Sequence, residues 1–305
     1  MTWHYQARRA VIAIFRTFRF SEREPVIGPQ TSRAGAGVAL ILAVMVWPAA
    51  ERPEAAAELQ ARTVDAFNRY VRLTEARLLS DSAFLWIDGL PDPGKREALD
   101  TVRRKALTIQ RMTTTEQGRA VDVPGGMVHH WIGTAFVASA TVDEALALLQ
   151  DYDAHQRIYA PTVARSALRS HEGDRFTFFL RFVMKKVITV VVNSEHEARF
   201  SRPARDRAQG WIHSTRIAEV EEAGAPAERE KPIGNDGGYL WRLNTYWRLL
   251  ARDGGVYIQC ESVSLTRGIP TGFGWLVGPF VTSIPRETLT FTLETTRQHL
   301  EGTKR

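Results

Sequence analysis

The sequence predicts an α+β protein built on a mainly antiparallel sheet, and three observations carry that prediction. From Val128 onward the apolar period changes to two, the spacing of a half-buried strand. Strand-length segments then follow one another with turn residues between them. The helical patterns lie mainly before and after this run rather than alternating with its strands, which argues against a parallel βαβ sheet.

Composition narrows the function classes. A chain of 305 residues with 44% hydrophobic and 24% charged residues can bury a core, as one large domain or two modest ones, and is not wholly disordered. Of the net charge of +6, residues 1–57 supply +3 (seven Arg against four Glu), which leaves 6 − 3 = +3 elsewhere, with both signs interspersed. That is a solvated surface and not a stripe tracking phosphates, so no nucleic-acid partner is expected. Cys260 is the only cysteine, which removes intrachain disulfides and cysteine-based zinc sites.

Residues 1–57 stand apart. Ala34–Trp47 is an uncharged apolar run behind Arg33, and Ala55-Ala56-Ala57 downstream offers small residues for a cleavage site. A positive flank, a short apolar core and an A-x-A exit are the parts of a secretory signal, and imply export to the periplasm or beyond. An uncleaved membrane anchor is the alternative. The preceding stretch, Met1–Ser32, is long for a basic flank and opens as a basic amphipathic pattern suited to a membrane surface. A translation start nearer Val26 is the plainer explanation of its length.

Residues 58–123 read as a helical lead-in. Over Glu58–Leu79 the residues Leu59, Thr63, Phe67, Tyr70, Val71, Thr74 and Leu78 recur at helical spacing. Gly89–Gly94 is a turn, and Lys95–Ala106 a second helix. After Pro124-Gly125-Gly126 the domain 124–305 begins with a strand, Val128–Ser139. Thr141 and Glu144 then form a capping box opening the helix Val142–Gln150. Strands are predicted over 163–171, 175–184, 187–200, 211–222, 239–250 and 256–267, with Asp253-Gly254 turning the last two into a hairpin. A helix capped by Ser283, with Pro285 in its first turn, closes the chain.

The hairpin carries the functional reading. A two-residue turn places Trp247 opposite Cys260, Thr245 opposite Ser262 and Tyr246 opposite Glu261. One face, with Arg242, Tyr246, Arg248 and Glu261, is expected to meet water. The other presents Trp241, Leu243, Thr245 and Trp247 beside Cys260, Ser262 and Ser264. Small, mildly polar residues there leave volume that a tightly packed core would fill, and hydroxyls orient a ligand in an apolar pocket. Phe178 and Leu180, flanked by Phe176 and Phe182, supply apolar lining. The alternative is a core filled by the terminal helix.

At these residues a resemblance becomes specific. The segments WIGTAFVASATVDEALALLQDYDAHQRIYAPTVARSALR (131–169), GYLWRLNTYWRLLARDGGVYIQCESVSLTR (238–267) and IPTGFGWLVGPFVTSIPRETL (269–289) resemble exported bacterial members of the START and polyketide-cyclase-like (SRPBCC) superfamily. The resemblance covers most of residues 124–300. It implies the helix-grip fold, a curved sheet wrapped around a long C-terminal helix, with a cavity for lipid-like or polycyclic ligands. It does not imply one activity, because that superfamily includes carriers, receptors and enzymes.

Chemical motifs are sparse. The sequence contains no phosphate-binding loop, dinucleotide fingerprint, nucleophile elbow or H-E-x-x-H pair. His129 and His130 are adjacent on a strand, point to opposite faces and cannot chelate one ion. Asp151 and Asp153 suit turn amides better than calcium, and Cys260 suits a buried strand position better than nucleophilic duty. Arg216 and Glu219 differ in strand parity, so one must turn inward and find a partner. No metal or cofactor is expected, and no protein partner is indicated. The first expectation is a protein holding a lipid, fatty acid, sterol-like or polyketide-like molecule. The alternatives are a cyclase, dehydratase or hydrolase in the same cavity, or an interaction protein with a filled core.

Overall fold

Alternation of apolar and polar residues builds a single large sheet. The structure is a computed structural model that describes residues 57–185, 188–268 and 274–303, with backbone only at 57–58 and 274–282. The predicted signal Ala34–Trp47, the Met1–Ser32 stretch and residues 269–273 lie outside the described residues. The described part belongs to one compact unit.

Its helices are α1 (Ala61–Ser80), α2 (Asp92–Arg103), α3 (Val142–Gln150), α4 (His155–Ile158) and α5 (Gly274–Gly302). Its main strands are β1 (Thr108–Arg111), β2 (Gly126–Ala138), β3 (Val163–Glu172), β4 (Arg175–Lys185), β5 (Thr189–Ala204), β6 (Arg207–Glu221), β7 (Arg242–Arg252) and β8 (Gly255–Arg267). They pair antiparallel in the order β1-β2-β8-β7-β6-β5-β4-β3, with the short piece Arg229–Glu230 added beside β6. Strands β3 to β8 run as a meander, and β8 closes back on β2. The chain between β2 and β3, carrying α3 and α4, therefore connects strands far apart in the sheet. This α+β arrangement, an antiparallel sheet with a C-terminal helix on one face, is the helix-grip fold the sequence led us to expect.

Local chemistry sets the boundaries. Thr141 Oγ1 accepts from the Glu144 amide at 3.1 Å while Glu144 Oε2 accepts from the Thr141 amide at 2.7 Å, completing the predicted capping box. Asp253 and Gly254 take φ of 57° and 73°, the left-handed pair a two-residue hairpin turn requires. The resulting register sets Trp247 opposite Cys260, Thr245 opposite Ser262 and Tyr246 opposite Glu261, as expected.

Three expectations are corrected. Helix α5 starts at Gly274, so Ser283 and Pro285 lie inside it and not at its cap and first turn. The edge strand β1 was not foreseen, because four residues are too few to display a period of two. The face of the hairpin expected to meet water is instead covered by the lead-in. There Phe67, Tyr70 and Leu78 of α1 pack with Tyr246, Val263 and Leu265, while Leu85, Ile87 and Val102 pack with Phe136, Leu250 and Tyr257. The sheet is thus covered on both faces, by the lead-in on one and by α3, α4 and α5 on the other.

Candidate functional site

Antiparallel register arranges the residues facing α5 into rows across the sheet. One row runs Ile109, Gly133, Cys260, Trp247, Gly210 and Phe200 from β1 to β5. It is tightly filled. A Cβ at Gly133 would stand 2.6 Å from Leu293 Cδ1 of α5, and one at Gly210 would meet the Phe200 ring at 2.4 Å. The absence of side chains lets α5 and Phe200 approach the sheet backbone closely.

The next row runs Trp131, Ser262, Thr245, Ile212, Ala198 and Phe176. Here Trp131, Ser262, Thr245 and Ile212 are only half-buried. Beyond it stand His129 and Ser264 on neighbouring strands, then Leu243, whose amide donates to Ser214 Oγ at 2.9 Å, then His196, Phe178 and Leu168. Leu180 follows on β4, paired with Ser194 and Ser166. Trp247, Cys260, Ser264, Phe178 and Leu180 are buried, whereas Leu243, Thr245 and Ser262 remain half-buried. The structure thus brings the predicted residues onto one face, with a single exception.

That exception is Trp241. It precedes β7 and does not follow the strand's alternation. Its indole donates to Asp236 Oδ1 at 2.9 Å, and its ring is buried with Phe67, Tyr246 and Leu265 under the lead-in. Alternation governs only residues inside the ladder, so extending it to Trp241 placed the side chain on the wrong face.

Sequence reasoning missed the polar groups on β5. His196 is 3% exposed and stacks on Phe178 with ring centroids 5.0 Å apart. Phe178 also stacks on Tyr152 at 3.7 Å. Ser194 Oγ donates to the Leu180 carbonyl at 3.0 Å and lies 2.9 Å from His196 Nε2. Burial pushes His196 down to about 3, His129 to about 4 and His155 to about 4, so all three imidazoles are neutral at pH 7. The even parity shared by Ser194, His196, Ala198 and Phe200 was the available signal.

The lead-in face holds a different constellation. Tyr70 Oη is 2.8 Å from His130 Nδ1, and His130 Nε2 is 2.6 Å from Glu261 Oε1, which also pairs with Arg77. Tyr246 donates to Glu75 Oε1 at 2.9 Å, and the same oxygen lies 2.8 Å from His213 Nε2. Arg248 donates to the carbonyls of Leu78 and Phe84, closing the C-terminal end of α1. A tyrosine–histidine–carboxylate chain invites a catalytic reading, but Tyr70, His130 and Glu261 are 3%, 2% and 0% exposed. Their position between α1 and the sheet gives them an adhesive role.

The other candidates resolve structurally. His129 meets Thr266 Oγ1 at 3.0 Å on the α5 face while His130 turns to the lead-in, as strand parity demands. Asp151 accepts from the Ala154 amide at 3.2 Å and Asp153 from the Leu168 amide at 2.9 Å. Glu219 is the inward-turned charge: it accepts from the amides of Gly237 (2.8 Å) and Tyr239 (3.0 Å), while Arg216 pairs with Glu230 outside. Burial and the adjacent Glu261 hold the Cys260 thiol well above its ordinary range. Among the described residues no group of three or more His, Cys, Asp or Glu side chains is placed to hold a metal.

Two open recesses mark the surface. One, of about 340 Å³, is lined by residues including Thr141, Asp143, Arg202 and Arg252; the other, of about 680 Å³, by residues including Leu79, Glu197, Arg199 and Trp211. Neither is lined by any of the predicted ligand-binding residues.

No family model matches the chain, and no curated protein matches it. Similar solved structures include a STAR-related lipid transfer protein fragment from Xanthomonas axonopodis, with 18% identity, a TM-score of 0.41, and coverage of 60% of this chain and 97% of that one. The Zhui aromatase/cyclase from Streptomyces sp. R1128 is 14% identical, with a TM-score of 0.38 and coverage of 59% and 97%. Human STARD10 is 8% identical, with a TM-score of 0.39 and coverage of 64% and 76%. At these identities and TM-scores the likeness stands as likeness alone, and the helix-grip fold is established by the strand order and by the C-terminal helix lying on the face opposite the lead-in.

Proposed function

We propose that this protein binds a hydrophobic small molecule between the sheet and α5, and that it acts as an exported carrier or receptor. One observation carries the binding reading. On the α5 face the small polar Thr245 and Ser262 stand half-buried between Trp131 and Ile212, beside the tightly filled row of Gly133, Cys260, Trp247 and Gly210. A core selected for packing alone would place larger apolar residues there. Aromatic walls with a few oriented hydroxyls are the composition of a small-molecule site. Burial of ligand surface would supply the affinity, at roughly 25 cal/mol per Å². Export is supported by the apolar run Ala34–Trp47 and the alanines at 55–57.

The test is native mass spectrometry with lipid extraction on the full chain purified from a bacterial host. A hydrophobic molecule should co-purify, and replacement of Ser262 or Thr245 by Phe should displace it. A clean apo mass, with no uptake from a panel of fatty acids and sterols, would overturn the reading.

A further inference from the structure

Among the described residues of the α5 face, the ring nitrogen His196 Nδ1 is buried without a hydrogen-bond partner. Ser194 has a single hydroxyl hydrogen, and it is donated to the Leu180 carbonyl. Toward His196 the serine can therefore only accept, so His196 Nε2 carries the ring hydrogen across the 2.9 Å contact. Nδ1 is then left with its lone pair. It is buried and has no hydrogen-bond partner. Protonation does not relieve it, since burial keeps the ring neutral.

An unpaired buried acceptor is costly, and native structures rarely retain one without a use. This one stands in the same row as Phe178, Ser214 and Leu243, on the face where the ligand is placed. The stack of Phe178 against His196, with Phe182 edge-on at 6.4 Å, fixes the ring and so the direction of the lone pair. The hydroxyl of Tyr152, on the other ring that stacks with Phe178, is likewise buried and unpartnered. The face thus offers an acceptor and a donor amid apolar walls.

We propose that His196 Nδ1 accepts a hydrogen bond from a hydroxyl group of the bound molecule, so that the site selects an uncharged apolar alcohol over the same skeleton lacking the hydroxyl. This deepens the ligand-binding reading above and rests on it. The donor must come from the ligand. A carboxylate has no hydrogen to give, and an ammonium would lose its hydration among aromatic side chains. A site built to pair a buried polar group discriminates strongly against analogues that leave it unpaired.

The experiment uses the full chain and two alcohol–ether pairs: 1-dodecanol with dodecyl methyl ether, and cholesterol with its methyl ether. Native mass spectrometry titration should give roughly tenfold tighter binding of at least one alcohol than of its ether. His196→Phe, which keeps the stack on Phe178, should lower the alcohol to the level of its ether and leave the ether unchanged. Nitrogen-15 spectra of histidine-labelled wild-type protein supply a readout that needs no variant. The His196 Nδ1 resonance should move when the alcohol binds and stay in place with the ether. Equal binding of alcohol and ether, or an unmoved Nδ1 resonance in the alcohol complex, would overturn the inference and leave the ligand-binding reading standing. Binding of none of the four probes would overturn both.

Discussion

Leu293 of α5 occupies the space that any side chain at Gly133 of β2 would need: a Cβ built there stands 2.6 Å from Leu293 Cδ1 and 2.6 Å from Ile109 Cδ1. The long helix is therefore seated against bare backbone. Tyr159 Oη, 2.9 Å from Thr296 Oγ1, holds the next turn of the helix.

Gly133→Ala should destabilise the fold by about 1–3 kcal/mol, because the tips of Leu293 and Ile109 must both move in a packed core. Gly133→Val should cost more. Urea unfolding monitored by tryptophan fluorescence would read the shift as a lower midpoint with an unchanged slope.

The Glu261 carboxylate is the centre of the adhesion between lead-in and sheet, holding His130 and Arg77 together. Glu261→Ala should cost about 3 kcal/mol, the low end for breaking a buried pair, since Arg77 is one-third exposed and can recover water. Glu261→Gln, which keeps a hydrogen-bonding group, should cost less. Equal losses in the two variants, measured by urea midpoint, would show that charge alone matters.

Acid should weaken this protein earlier than carboxylate titration would. His129, His155 and His196 sit at about 4, 4 and 3 when folded, against about 6.5 unfolded. Between those values the unfolded chain binds protons that the folded chain refuses. Stability is therefore complete above about pH 6.5 and falls as pH drops toward 4, by up to about 1.4 kcal/mol per pH unit for each histidine. Below the folded values the loss levels off. Unfolding free energy measured from pH 8 to pH 4 should show this slope, and His196→Phe should reduce it by one histidine's share.

Cys260 should be inert in the native protein, being 2% exposed with its thiol held in the protonated form by burial. A thiol reagent at pH 8 should label it only on the timescale of unfolding. Rapid native labelling would show that the α5 face opens far more often than its packing implies.

The meander strands, the hairpin register and the terminal helix were legible because each rests on a local signal, whereas the closure of β8 on β2 was not. Alternation marked the strands, Asp253-Gly254 the turn, and Thr141 with Glu144 the cap. The lead-in's role was not legible. Tyr246, Arg248, Gln259 and Glu261 look like a wetted strand face, but each is matched by the lead-in or by β2: Tyr246 by Glu75, Arg248 by the Leu78 and Phe84 carbonyls, Gln259 by the Trp86 amide, and Glu261 by Arg77 and His130. No periodicity reveals that polar residues 131 to 184 positions apart will satisfy each other. His196 was hidden for a related reason: alternation gives its face, but its lone pair is defined by the donor that Ser194 has already spent on Leu180.

The separation between Arg77 and Glu261, 184 residues along the chain, also bears on how the molecule is made. At roughly 5–20 residues per second, synthesis of the hairpin trails that of α1 by about 10–40 seconds. For that interval α1 lacks the hairpin strands against which Phe67, Tyr70 and Leu78 pack. The arginines and glutamates that later become the adhesive keep the waiting helix hydrated, whereas a wholly apolar stripe would present a sticky surface to every other nascent chain. Closure of so long a loop makes docking of the lead-in a late event, after the meander has formed the platform that receives it.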